Sequence, residues 1–220
     1  MNIKTLLVLS LVACPIYCQE KIRIAIIDTG INPYYTKYRC DPNLDKDFTG
    51  TSMQDNDMHG QLINNIITKD LDANKYCVIN IKFYTKYSRK QDSLSALEYA
   101  STLKISYLNL SWGGDKYGQK EHDLLEAMLD KNVKIYVAAG NESKRLEKGC
   151  NYYPPCYNDL TLFVVGSVDE NHRVTSKSNY GSVVKFWEVG QYFVNSDGKI
   201  YSGTSFSVPR AIWRSINHVR

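Results

Sequence analysis

The sequence predicts an α/β protein of three layers, with helices on both faces of a mostly parallel central sheet. Short apolar runs alternate along the chain with longer segments of helical periodicity, the pattern of strands linked by crossover helices. The first of these runs, residues 24–27, is uniformly apolar, as expected of a strand buried on both faces. The 220 residues, 43% of them hydrophobic, suffice for one compact domain, and no Pro/Gly/Ser linker or internal repeat divides them.

In chain order, strands are expected near 22–27, 76–84, 106–110, 133–138 and 162–168, and helices near 59–69, 92–104, 119–131 and 205–217. Within 119–131, Leu124, Leu125, Met128 and Leu129 form one apolar face, which makes them core. Residues 162–202 read as strand-rich. In the last segment Val208, Ala211, Ile212 and Ile216 fall close to helical spacing, with Pro209 expected in the tolerant first turn.

Residues 1–19 stand apart from this domain, which is expected to occupy 20–220. Lys4 gives a short basic start, and residues 5–13 an apolar run too short for an ordinary membrane span, so the segment reads as a secretory signal. Leu11-Val12-Ala13-Cys14 also matches a bacterial lipoprotein signal ending before Cys14, so simple secretion and a lipid anchor at Cys14 both stay open. A net charge of +4 without a long basic run argues against nucleic acid as the main partner. A monomer is expected.

Three short motifs carry the chemistry: Asp28-Thr29-Gly30, His59-Gly60 and Gly203-Thr204-Ser205-Phe206-Ser207-Val208-Pro209. A hydroxyl is a poor nucleophile at neutral pH. Ser205 therefore needs a neutral imidazole to take its proton, and His59 needs a carboxylate behind it to fix the tautomer. Asp28, at the carboxyl end of a buried strand, is placed to supply it. Ser205 is expected at a helix N-terminus, where free backbone amides favour developing negative charge. Each residue alone has an ordinary reading: a turn residue for Asp28, a helix-start residue for His59, an N-cap for Ser205, a turn residue for Asn141. Their joint occurrence in the order Asp, His, Ser carries the weight.

With these motifs in view, residues 22 to 215 resemble the subtilisin-like serine proteases (subtilases, peptidase S8). IRIAIIDTGI looks like that family's first strand with its aspartate, QDNDMHG like the loop delivering its histidine, and LNLSWGG like its substrate-aligning strand. YVAAGNES resembles the oxyanion segment. YYPPCY, followed by FVVGSVDENHRVTSKSNYG, resembles the wall of the specificity pocket and the strand and turn behind it, and GTSFSVPRA the nucleophile segment.

The resemblance implies a serine endopeptidase with catalytic Asp28, His59 and Ser205. Asn141 and the Ser205 amide would form the oxyanion hole, and Ser111, Trp112 and Gly113 would take a substrate strand by strand addition. Glu142 is expected near the pocket mouth, favouring a basic or polar side chain, or else on the solvated surface. Protein or peptide is the expected substrate, and no cofactor is required.

Some positions depart from the family pattern. Gln61, Leu62, Ile63 and Asn64 follow His59-Gly60 where Thr, a variable residue, an apolar residue and Ala are usual, and Phe206, Ser207 and Arg210 replace the usual Met, Ala and His. The few residues between signal and first strand leave no room for the family's folding-assisting propeptide, which admits a separate chaperone or inhibitor chain as partner. These departures keep a second reading open, a non-catalytic protein that grips extended peptides along residues 111–113. An esterase with the same triad is a third.

If the signal is removed near residue 19, Cys40, Cys77, Cys150 and Cys156 remain, which suits an oxidising destination and allows three pairings. Cys150 with Cys156 is favoured, because it would staple the short loop holding Tyr152, Tyr153, Pro154 and Pro155 beside the pocket; that leaves Cys40 with Cys77. Free buried cysteines are the alternative, and the spacing does not look like zinc. Asp41, Asp45, Asp47, Asp55 and Asp57 lack the ligand-and-glycine pattern of a calcium loop. A solvated loop is expected there, and no metal is assigned.

Overall fold

The computed structural model of the chain describes residues 20–35, 37–88, 91–193 and 198–217; the expected signal 1–19, with Cys14, lies outside them. The apolar run becomes β1 (Ile22–Asp28), whose last five residues are buried. There follow a two-residue strand β2 (Lys46–Asp47), α1 (His59–Thr68), β3 (Tyr76–Lys82), α2 (Ser93–Thr102) and β4 (Tyr107–Leu110). The second half holds α3 (Gln119–Asp130), β5 (Lys134–Ala138), β6 (Phe163–Val168), β7 (Phe186–Val189), β8 (Gln191–Phe193), β9 (Ile200–Ser202) and α4 (Thr204–Asn217).

Seven strands form one sheet in the order β2-β3-β1-β4-β5-β6-β7, parallel at each pairing, while β8 and β9 make a separate antiparallel pair. Because side chains alternate along a strand, β1 serves two cores. Ile24 and Ile26 face Leu62, Ile63, Val208 and Ile212 of α1 and α4. Ala25 and Ile27 face Ala96, Leu97, Leu125 and Met128 of α2 and α3. The chain leaves β1 for β3 on one side and returns to β4 on the other. That reversal opens a crevice at the carboxyl ends of β1 and β4, where open α/β sheets bind ligands.

Two disulfides tie the loops, Cys40–Cys77 with Cα atoms 4.9 Å apart and Cys150–Cys156 with Cα atoms 5.5 Å apart. The acidic stretch is not the solvated loop expected. The Asp45 side chain is buried and ion-paired with Arg39 at 2.6 Å, and its other oxygen accepts the Asn80 amide at 2.7 Å. Asp55 is 3% exposed and accepts three backbone N–H groups, from Asp57, Met58 and Gln61. Asp41 caps a short 3-10 turn, and Asp47 accepts both the amide and the hydroxyl of Thr49. Clustered backbone and hydroxyl donors give these carboxylates their partners, a pattern the local sequence does not reveal.

Pro209 also departs from expectation. α4 begins at Thr204, so the proline lies in its second turn, where its missing N–H leaves the Ser205 carbonyl without its intrahelical donor. The Ser111 hydroxyl fills that place, donating to the Ser205 carbonyl at 2.9 Å.

Candidate active site

Asp28 ends β1 with 3% of its surface exposed. Its Oδ1 accepts the Thr29 amide at 2.7 Å and faces His59 Nδ1 at 2.7 Å. The carboxylate accepts, so Nδ1 carries the proton and Nε2 presents its lone pair.

The turn that brings His59 to Asp28 is built by close backbone approach. Thr29 Oγ1 accepts the Gly60 amide at 2.7 Å, and a Cβ on Gly60 would stand 2.5 Å from the Gly30 carbonyl oxygen and 3.2 Å from Asp28 Oδ1. Only glycine lets the first turn of α1 press onto the end of β1. Met58, before His59, takes a left-handed conformation at φ 67°, a strain of roughly 1–3 kcal/mol. Asp55 holds it there through the Met58 amide at 2.8 Å and caps the helix start through the Gln61 amide at 2.7 Å. From below, Lys82, fully buried at the end of β3, donates to the carbonyls of Ser52 and Gln54 at 2.8 and 2.7 Å. Asp55 and Lys82 are thus positioning residues of the His59 loop.

Burial of the His59 ring works to lower its pKa. Asp28, with Asp55 and Asp57 behind it, outweighs that effect and leaves the pKa raised above the ordinary histidine value. Phe206 packs beneath the imidazole with ring centres 5.5 Å apart, and Tyr192 and Tyr201 of the β8–β9 pair close around Phe206.

Ser205 is the second residue of α4, so its amide is one of the unpaired donors of the first helical turn. Its hydroxyl donates to the Ser111 carbonyl at 3.0 Å, and no hydrogen bond joins it to His59 among the described residues. Asn141 lies at the same helix end. Its side chain faces the Thr204 amide at 2.9 Å and the Thr204 hydroxyl at 3.2 Å. An N–H can only donate, so the facing atom is Oδ1, and Nδ2 is left without a protein partner among the described residues.

Trp112 Nε1 donates to the Ile27 carbonyl at 3.1 Å, which anchors the segment after β4 to β1. Gly114 and Tyr153 exchange backbone hydrogen bonds at 2.8 and 2.6 Å, while the N–H and C=O of Gly113 have no partner among the described residues. Glu142 accepts from Asn179 Nδ2 at 2.7 Å and lies beside Tyr152. A cleft of about 730 Å³ opens from Asp28 and His59 along residues 111–116 to Phe83, Tyr84, Glu121 and Tyr153; Glu142 does not line it.

The departures beside His59 have structural uses. Gln61 Oε1 accepts the Asn32 amide at 2.8 Å, and Asn64 donates to Asn80 at 3.1 Å, both within buried contacts of α1. Sequence reasoning missed Asp55 and Lys82 as supports of this site; it expected the Tyr152 loop beside the pocket but not its ring against both Gly113 and Gly140. Asp55 had a readable signal, an acid just ahead of a helix start. Among the described residues no helix is long and apolar enough to cross a membrane.

Known proteins are similar to this chain in sequence and fold. The chain is 22% identical over 222 residues to Subtilisin-like protease 2 of Plasmodium falciparum (isolate 3D7), covering 88% of this chain and 17% of that protein. It is 26% identical over 208 residues to Alkaline protease 1 of Aspergillus flavus, covering 87% of this chain and 50% of that protein. It therefore spans half or less of the length of these relatives. A crystal structure of a cold adapted subtilisin-like serine proteinase superposes with a TM-score of 0.70 at 20% identity, covering 90% of this chain and 75% of that one, which establishes the fold. The model of the subtilase family matches residues 19–211, a span that takes in β1, α1 and the start of α4 with the residues they bring together. This chain belongs to the subtilase family.

Proposed function

We propose that the chain is a serine endopeptidase in which Ser205 is the nucleophile, His59 the base and then the acid, and Asp28 the group that orients it. The observation that carries the proposal is the 2.7 Å contact of His59 Nδ1 with the buried Asp28 carboxylate at the end of β1, next to β4, beyond whose end Ser111 holds Ser205.

A substrate strand lies along Gly113, whose free N–H and C=O pair with its backbone. The Ser205 hydroxyl turns about χ1 from the Ser111 carbonyl toward His59 Nε2, which takes its proton as Oγ attacks the scissile carbonyl. The resulting oxyanion accepts hydrogen bonds from the Ser205 amide and Asn141 Nδ2. His59 then gives its proton to the departing amine, leaving an ester on Ser205. Water, deprotonated by His59, attacks that ester and releases the acid product with Ser205 restored.

No cofactor enters these steps. The substrate is a protein or peptide held in extended form, and the working unit is a monomer. The N-terminal segment and the two disulfides support an extracytoplasmic location, free or anchored at Cys14.

The test is hydrolysis of casein and of peptides by the purified protein, beside Ser205→Ala and His59→Ala. Each substitution is expected to lower kcat on the order of a million-fold. Folded wild-type protein that binds peptide without cleaving it, with both variants behaving the same, would replace the proposal with the peptide-gripping reading.

A further inference from the structure

We infer that the Tyr152 ring fills the slot meant for the side chain of the residue whose carbonyl Ser205 attacks, so that the enzyme cuts after glycine, alanine or serine and rejects large side chains there. The inference rests on the proteolytic reading above.

The slot is located by the groups around Ser205. On one side Ser111 is joined to it twice, through its carbonyl at 3.0 Å and its hydroxyl at 2.9 Å. On the other side Asn141 is tied to the adjoining Thr204 amide at 2.9 Å. A carbonyl in contact with Ser205 Oγ and Asn141 Nδ2, on a strand running along Gly113, has its own Cα between residues 111–113 and residues 140–142. Its side chain must enter the gap between those two segments.

Both walls of that gap carry a glycine, and the same ring touches both. A Cβ on Gly113 would stand 2.8 Å from Tyr152 Cε1 and 3.1 Å from Cζ, and one on Gly140 would stand 2.6 Å from Tyr152 Cζ. The phenol end is therefore wedged between the two backbones, in space that the glycines leave free. The ring is 8% exposed.

Its backbone is held. Tyr153, the next residue, pairs with Gly114 through two hydrogen bonds, the Tyr152 carbonyl accepts the Cys156 amide at 2.8 Å, and the Cys150–Cys156 disulfide brackets the loop. Burial and the nearby Glu142 carboxylate push the phenol up to about 12, so the wedge stays neutral. The open cleft shares residues 111–113 with this gap but runs on along Asp28, His59, Phe83 and Glu121, and neither Tyr152 nor residues 138–142 line it. Bulky side chains have room there and none at the cut.

The test profiles wild-type cleavage of a mixed peptide library. It then compares kcat/KM on matched peptide amides with Ala or Phe at the cut, in wild type, Tyr152→Gly and Tyr152→Phe. Wild type should prefer Ala over Phe on the order of 100-fold or more, because a filled slot rejects a ring outright. Tyr152→Phe keeps the ring and should keep the preference. Tyr152→Gly should raise the Phe rate at least tenfold and shrink the Ala-over-Phe ratio by at least that factor. The library profile needs no variant and decides the matter even if Tyr152→Gly does not fold. Wild type that cuts after Phe or Leu as readily as after Ala overturns the inference and leaves the proteolytic reading standing. No cleavage at any residue, with Ser205 inert to a fluorophosphonate, overturns both.

Discussion

Asn141 is proposed to do two jobs with two atoms, and Asn141→Asp separates them. Oδ1 accepts the Thr204 amide at 2.9 Å and caps α4, while Nδ2 is free to donate to the oxyanion. Replacement by Ala removes both. Loss of the cap costs about 1 kcal/mol, a fall in Tm of roughly 2–4 °C for a domain of this size. Loss of the oxyanion donor costs about 3 kcal/mol at the transition state, 100- to 1,000-fold in kcat, with little change in KM. Asn141→Asp keeps an acceptor at Thr204 and adds a negative charge at a helix N-terminus, worth about 0.3–1 kcal/mol in the stabilising direction. It should melt at or above the wild-type temperature. Its kcat should fall at least as far as that of Asn141→Ala, because a carboxylate cannot donate and repels the oxyanion. The assays are thermal unfolding followed by circular dichroism and steady-state kinetics on one peptide amide. An Asn141→Asp protein as destabilised as Asn141→Ala, or an Asn141→Ala protein within tenfold of wild type in kcat, would refute the division of labour.

Four further outcomes follow from the structure. The base form of His59 is neutral and its pKa is raised, so kcat/KM should climb with pH through a midpoint above 6.5, and Asp57→Asn should move that midpoint down; a midpoint unmoved in Asp57→Asn counts against the carboxylate field. By the same sign, the stability His59 contributes is present below pH 6.5 and is lost as pH rises through its folded pKa, measurable as the pH dependence of unfolding in wild type against His59→Gln. Lys82→Met removes two hydrogen bonds that hold the His59 loop and should cost about 1–3 kcal/mol and lower kcat together, read by melting and kinetics, whereas an unchanged Tm denies the anchor. Loop-closure entropy gives about 4 kcal/mol for Cys40–Cys77, with a separation of 37, against about 2 kcal/mol for Cys150–Cys156, with a separation of 6, so denaturant unfolding should find the Cys40→Ser/Cys77→Ser double variant the weaker.

The elements legible in the sequence were those whose physics is local. Residues 24–27 announce a doubly buried strand, and Val208, Ala211, Ile212 and Ile216 announce a helix face, and both stand close to where the spacing put them. β7 was not legible as an element, because it is an edge strand whose residues are exposed or half-buried, without an apolar run. β2 has only two residues. Asp28, His59, Asn141 and Ser205 could be singled out as candidates because each sits in its own short motif. Their supports could not. Lys82 looks like an ordinary polar end to a strand until Ser52 and Gln54, some thirty residues earlier, fold over it. Asp45 and Asp55 looked solvated because their donors lie on Arg39, Asn80 and the first turn of α1. The segment of Tyr152 was expected beside the pocket from its resemblance, but the approach of its ring to Gly113 and Gly140 could not be read, because they meet only in the folded chain.

The most direct measurement of the central claim is labelling of the purified protein with a fluorophosphonate, with peptide mapping of the modified residue. An activated nucleophile predicts stoichiometric labelling confined to Ser205, abolished in Ser205→Ala and in His59→Ala. Folded wild-type protein that stays unlabelled, or labelling that survives in His59→Ala at the wild-type rate, would contradict it.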